Sequence, residues 1–131
     1  MDNKKLEQIK ERLLYKKVVE WTEDYIILDD GTKVYVYCSE WDCCAHAGGY
    51  FKNVELDAVI TDVTYDIIRD KEQSEYGGEI ESIESEAVLK LFHNQNVIAQ
   101  NLVNADAGNG AYYYSVASLV IGDFETDILD A

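Results

Sequence analysis

The 131-residue chain contains no proline, three cysteines, two histidines and 11 bases against 26 acids. Each scarcity removes a class of protein. An odd, small number of cysteines argues against a disulfide-stapled secreted domain. A formal charge of −15 repels nucleic acid and anionic membranes, so direct binding to either is not expected. No apolar run approaches the roughly 18 residues of a membrane span. The N-terminal stretch also lacks the continuous apolar segment of a secretory signal. The expectation is a cytoplasmic protein. What is present is 47% hydrophobic and 11% aromatic residues, too rich for a disordered chain. The length suits a single domain, with long strands that no proline interrupts.

The charge is unevenly distributed. Residues 1–20 hold six bases (Lys4, Lys5, Lys10, Arg12, Lys16, Lys17) and four acids, whereas residues 21–131 hold five bases and 22 acids. A net of +2 therefore precedes a body of net −17. Such a body attracts basic partners over about a Debye length.

Asp2 or Asn3 caps a predicted helix to about Tyr15, with Leu6, Ile9, Leu13 and Leu14 on one stripe. That stripe suits packing on a sheet, or on a second copy in a homo-oligomer. From Lys17 the apolar period becomes two. Lys17–Trp21 and Tyr25–Leu28 read as strands, and Asp29-Asp30-Gly31-Thr32 as a hairpin turn. Lys33–Cys38 alternates Val34, Val36 and Cys38 against Tyr35 and Tyr37, the pattern of a central strand. Residues 39–53 break the alternation and read as a structured loop or helical turn. Residues 59–68 form a half-buried strand, and Arg69–Ser85 a charged stretch turning at Gly77-Gly78. Glu86–His93, Val97–Val103 and Ala111–Ile121 are further strands, and 122–131 an acidic tail. About seven strands behind one helix make an α+β fold, dominated by an antiparallel sheet that curls into a barrel or sandwich.

Cys38, Cys43, Cys44 and His46 form the most chemically suggestive cluster. Thiolate and imidazole are zinc ligands, yet the spacing matches no standard zinc signature. A catalytic thiol would need His46 or His93 as its base, and no oxyanion motif accompanies them. The cysteines read instead as small buried hydrophobes, with a metal site or metalloenzyme as the alternative. Calcium-loop, phosphate-loop, nucleophile-elbow and dinucleotide patterns are absent. No cofactor is implied.

Two groups suggest partner binding. Tyr112-Tyr113-Tyr114 carries the residue type enriched at interface hot spots, with at least one tyrosine turned to the core if the run is a strand. Glu72, Glu75, Glu79, Glu81, Glu84 and Glu86 flank the Gly77-Gly78 turn. Strand residues two apart project from one face at about 6.6–6.8 Å. Two steps of a nucleic-acid strand span a comparable distance of about 6.8 Å. A carboxylate row could thus occupy a groove built for phosphates. The plain alternative is a solvated charged hairpin.

Asp30-Gly31-Thr32, Asp42-Cys43-Cys44 and Asn109-Gly110 before Tyr112-Tyr113-Tyr114 occur in an order that resembles a family of small phage-encoded proteins. That family is catalogued as a domain of unknown function. The resemblance covers roughly residues 25–121, and Ala111 departs from it by separating Gly110 from the tyrosines. It implies a sheet-rich fold and a phage or prophage origin, and no activity. The resulting expectation is a non-enzymatic protein that binds a host protein with a basic groove. An anti-defence inhibitor of a CRISPR effector or restriction enzyme, acting by DNA mimicry, would fit. The alternative is a nucleotide-binding or nucleotide-sequestering protein whose pocket is lined by residues 41–51 and Tyr112–Tyr114, with Lys52 its nearest base.

Overall fold

In a computed structural model, described over residues 1–131 apart from the side chain of Asn109, one helix precedes nine strands. The Asn109 side chain of the late motif thus lies outside the described residues. The α+β reading holds. Nine strands replace the expected seven, and they form two sheets rather than a closed barrel. Strands β1 (Val18–Trp21), β2 (Ile26–Leu28), β3 (Lys33–Trp41), β8 (Ser115–Ile121) and β9 (Phe124–Asp130) form one sheet in the order β1-β2-β3-β8-β9. Strands β4 (His46–Lys52), β5 (Asp62–Tyr76), β6 (Glu79–His93) and β7 (Asn96–Asp106) form the other in the order β4-β7-β6-β5. All strand pairings are antiparallel. No helix among the described residues is long and apolar enough to cross a membrane.

Both sheets contribute to one core, through Val34, Val36 and Leu119 on one side and Phe51, Leu89, Leu91 and Val103 on the other. β3 is the middle strand of its sheet, as its two apolar faces predict. The Asp30-Gly31 turn is also where expected: Gly31 takes φ +86° and Asp30 Oδ1 accepts from Thr32 N–H at 3.0 Å.

Helix α1 (Asn3–Leu13) is two residues shorter than predicted. Asp2 caps it by accepting from Lys5 N–H at 2.7 Å. Ile9 and Leu13 are fully buried, so the apolar stripe is used inside this chain. Its bases reach edge strands of both sheets: Lys5 meets Asp127 and Lys10 meets Asp62, each at 3.3 Å. Arg12 stacks 3.8 Å from the Phe124 ring centre. Beyond the helix, Lys16 pairs with Asp30 at 2.9 Å.

Two sequence readings need correction. Residues 39–53 are mostly strand; only 42–45 lie between β3 and β4. Gly48 and Gly49 concealed this by replacing side chains that would have carried the alternation. Gly49 is required by the packing, because an added Cβ would overlap Asn101 Oδ1 and lie 3.0 Å from Val36 Cβ in the facing sheet. The tail contains β9, with Ile128 and Leu129 in the core. The charged stretch 69–85 turns at Gly77-Gly78 as expected, and its two halves extend β5 and β6 as one long hairpin.

Two outcomes test this account. Gly49→Ala should lower unfolding free energy by about 1–3 kcal/mol, the usual cost of overpacking, in urea titrations. Adding Asn101→Ala should recover part of that loss. For Asp30, hydrogen bonds from Lys16 and then Thr32 hold the carboxyl well below the ordinary range. A depressed folded pKa stabilises above the unfolded value of about 3.9 and loses that contribution as pH falls towards the folded value. The pair is partly exposed, so Asp30→Asn should cost no more than about 1 kcal/mol at neutral pH. The difference from wild type should vanish as acid protonates Asp30, measured as urea midpoints across an acid series.

Candidate functional site

The strongest local feature arises where the chain passes between sheets. β3 pairs with β8 up to Trp41 opposite Ser115, and β4 pairs with β7 from His46 opposite Asp106. These are two lengths of one antiparallel ladder, interrupted by residues 42–45 on one strand and 107–114 on the other. The ladder bends there, and the longer segment bulges as a 3-10 turn at Asn109–Ala111.

This bend brings together motifs far apart in sequence. Asp42 N–H donates to Tyr114 C=O at 3.0 Å, and Ala45 N–H to Asp42 C=O at 2.9 Å. Tyr113 N–H donates to Ala107 C=O at 2.9 Å. Asp106 Oδ1 accepts from His46 N–H at 3.2 Å and Gly108 N–H at 3.0 Å, tying both passing segments to one carboxylate. The buried Ser115 hydroxyl lies 2.9 Å from His46 C=O and 2.6 Å from Asp106 C=O. Gly108 adopts φ +76°, and a Cβ there would come 2.8 Å from the Tyr113 ring and 3.1 Å from the Cys44 carbonyl carbon. A side chain has no room at this position.

Cys43 and Cys44 sit on the outside of the bend with their Sγ atoms 3.0 Å apart. Both are exposed and Cys38 is half-buried, which corrects the reading of all three as buried hydrophobes. A four-residue passage at the sheet end leaves no interior for them. Cys43 takes the unusual φ of +32°. The contact with Cys43, to which the neutral Cys44 thiol can donate, raises the pKa of Cys44, with smaller effects from burial, Cys43 charge and Asp42. Proximity to Cys43, with smaller effects from Cys44 and Asp42, likewise raises the Tyr113 phenol.

The expected Cys/His cluster does not assemble. Cys38 lies on β3 and its thiol approaches Glu40 C=O at 3.5 Å. Among the described residues, no three His, Cys, Asp or Glu side chains converge as a metal ion would require. His93 lies at the opposite end of the β6–β7 ladder, paired with Asn96, and its Nδ1 is 2.8 Å from Val59 C=O. The groove beside β4 is lined by Val36–Cys38, His46–Tyr50 and Asn104, with no contribution from Tyr112–Tyr114 and no lysine or arginine. The tyrosine run precedes β8 rather than lying in a strand; Tyr112 and Tyr114 are exposed and Tyr113 half-buried.

Glu72, Glu75, Glu79 and Glu81 belong to the outer, two-stranded part of the β5–β6 hairpin, whereas Glu84 and Glu86 lie opposite Asp106 and Asn104 of β7. From Ile67 to Glu81 the hairpin residues are exposed, including Ile67, Ile68, Tyr76 and Ile80. Residues 66–86 hold eight acids and two bases. The pairing slips after Ile67, after Arg69 and after Ser74, so the acids form no single straight row. Glu72 lies opposite Glu84, a repulsive cross-strand pair. Arg69 relieves it by approaching Glu84 at 3.6 Å, Glu86 at 3.8 Å and Glu72 at 4.0 Å. Glu75, Glu79 and Glu81 make no ion pair among the described residues and lie nearest the tip. At the inner bulge Lys71 takes φ +51° and donates its N–H to the buried Ser85 hydroxyl at 3.0 Å.

Sequence reasoning missed Asp106, Gly108, Ser115 and Arg69. One signal was available, an acid set among small residues in Ala105-Asp106-Ala107-Gly108, where a strand ends.

Gly108→Ala should destabilise the fold by about 1–3 kcal/mol and shift the emission of Trp41, one residue before the bend. Gly77→Ala provides the control: it shares a positive φ but faces open space, so it should cost about 1 kcal/mol and leave Trp41 emission unchanged.

No curated protein and no solved structure matches the chain. One family model matches residues 11–120, a span that encloses the bend, the hairpin arm and the tyrosine run. The chain therefore belongs to the family described as a domain of unknown function, DUF7448.

Proposed function

We propose that this chain is a non-enzymatic binding protein that docks its β5–β6 arm in a basic groove of a partner protein. The observation that carries the reading is the arm itself. The hairpin carries net −6 over residues 66–86, continues as an exposed two-stranded ribbon beyond its last β7 pairing at Glu84, and ends in exposed Tyr76 and Ile80. Carboxylates supply long-range attraction and orientation, while a tyrosine and an isoleucine at the tip supply contact area. Arg69 gathers Glu72, Glu84 and Glu86, while Glu75, Glu79 and Glu81, nearest the tip, make no ion pair among the described residues.

A groove that accepts such an arm is one that otherwise accepts a phosphate backbone. The resemblance of the short motifs to small phage-encoded proteins favours a partner among host nucleic-acid-handling defence proteins, and hence an anti-defence inhibitor acting by charge mimicry. The slips in strand register give the mimic a twisted, two-sided distribution of carboxylates, in place of one evenly spaced row.

The test is capture of partners from bacterial lysate on the immobilised chain at low and high salt, with duplex DNA as competitor. The specific partner should be lost at high salt and displaced by the duplex. Glu75→Gln, Glu79→Gln and Glu81→Gln combined should weaken its capture at least tenfold while leaving the unfolding midpoint unchanged. Retention at high salt in the presence of bound DNA would overturn the mimicry.

A further inference from the structure

We propose that Cys43 and Cys44 are a two-thiol oxidation site, closed to a vicinal disulfide by small disulfide-bearing molecules and reopened by thiols. The proposal does not rest on the docking proposed for the arm. It rests on two adjacent thiols that already touch, with Sγ atoms 3.0 Å apart, on an exposed turn open to reagents of small size. Cys38, the third thiol, is half-buried on β3 and turned to a backbone carbonyl.

The chemistry balances without a further co-reactant. The Cys43 thiolate attacks one sulfur of the small disulfide, and the other half leaves as a thiolate that takes up a proton. Cys44 then loses its proton and attacks the Cys43 sulfur of the mixed disulfide, expelling the second half as a thiol. Two protein thiols are oxidised by two electrons, and one small disulfide becomes two small thiols. Cys44 suits the second role because its Sγ already lies 3.0 Å from that of Cys43, within reach of the mixed disulfide.

Closure of adjacent cysteines makes a tight ring. Neighbouring Cα atoms are about 3.8 Å apart, below the roughly 4.4–6.8 Å of ordinary disulfides. A strained, exposed disulfide is readily reduced, so the site is a reversible one and adds no permanent staple. Its surroundings also select the reagent. Asp42 adjoins the pair, and Glu81, Glu84 and Asp106 share the hollow that Cys44 lines with Ser82 and Gly108. No base lines that hollow, so a cationic disulfide should react faster than an anionic one.

The experiment treats the full chain with cystamine or with oxidised glutathione, then denatures it, alkylates remaining thiols and reads intact mass. Cystamine should leave one alkylatable thiol of three, with loss of two hydrogens and no retained adduct, and dithiothreitol should restore all three. Cys38→Ser should close in the same way. Cys44→Ser should stop at a mixed disulfide carrying one cystamine half, with near-ultraviolet circular dichroism confirming its fold. Cystamine should outpace oxidised glutathione at least fivefold at low salt, the gap narrowing as salt is added. Three free thiols after cystamine, a stable adduct on the wild-type pair, or failure of the Cys38→Ser variant to close would each overturn the proposal.

Discussion

The bend of the β3–β4 and β7–β8 ladder is the constraint on which the rest of the molecule depends. An antiparallel ladder that passes from one sheet to the other ties both sheets together without a long connection. It must then satisfy the backbone groups that the bend removes from strand pairing. Asp106 and Ser115 do so from one side and the Asp42–Tyr114 and Tyr113–Ala107 bonds from the other. Because four residues on the inner strand oppose eight on the outer, the excess chain has to leave the ladder. It carries Tyr112 and Tyr114 outward with it. Gly108 is needed where the two passages touch, since the contact distance there admits no Cβ.

Charge organises the opposite side of the body. A body of net −17 resists compaction, and the basic N-terminal segment offsets part of that repulsion at close range. Lys5, Lys10 and Lys16 each take one body carboxylate, and Arg12 lies on an aromatic ring of β9. The helix thereby spans edge strands of the two sheets, and its lysine at the β9 edge also donates to the Asp127 carbonyl at 2.7 Å. Edge strands with such covers offer fewer free groups for pairing with another chain. The hairpin arm has no such neutralisation beyond Arg69 and Lys71, so the unbalanced charge is concentrated where it projects furthest.

Elements with a clean period were legible from residues alone. The capped helix, the Asp-Gly hairpin and the central strand β3 all followed from spacing and turn chemistry, because those signals are local. β4 was not legible, since Gly48 and Gly49 carry no hydropathy and the reason for Gly49 lies in Val36 and Asn101. β9 was hidden by its acids, whose partners Lys5 and Lys71 come from elsewhere in the chain. The glutamates of the arm were found as a group, but their arrangement was not, because slips in register depend on pairing between strands. Likewise the cysteines drew attention by chemistry, while their exposure followed from the bend.

By itself the sequence determined the class of fold, the sign and imbalance of the charge, and the short motifs that bear chemistry. These depend on residue type and on neighbours within a few positions. Only the tertiary structure decided that Asp42-Cys43-Cys44, Gly108 and the tyrosines meet at one bend, that Cys38 and His93 stand apart from them, and that the acidic hairpin projects. Those outcomes depend on which strands pair and where a ladder changes sheets. Pairing is set by burial shared between distant segments, and no local spacing encodes it.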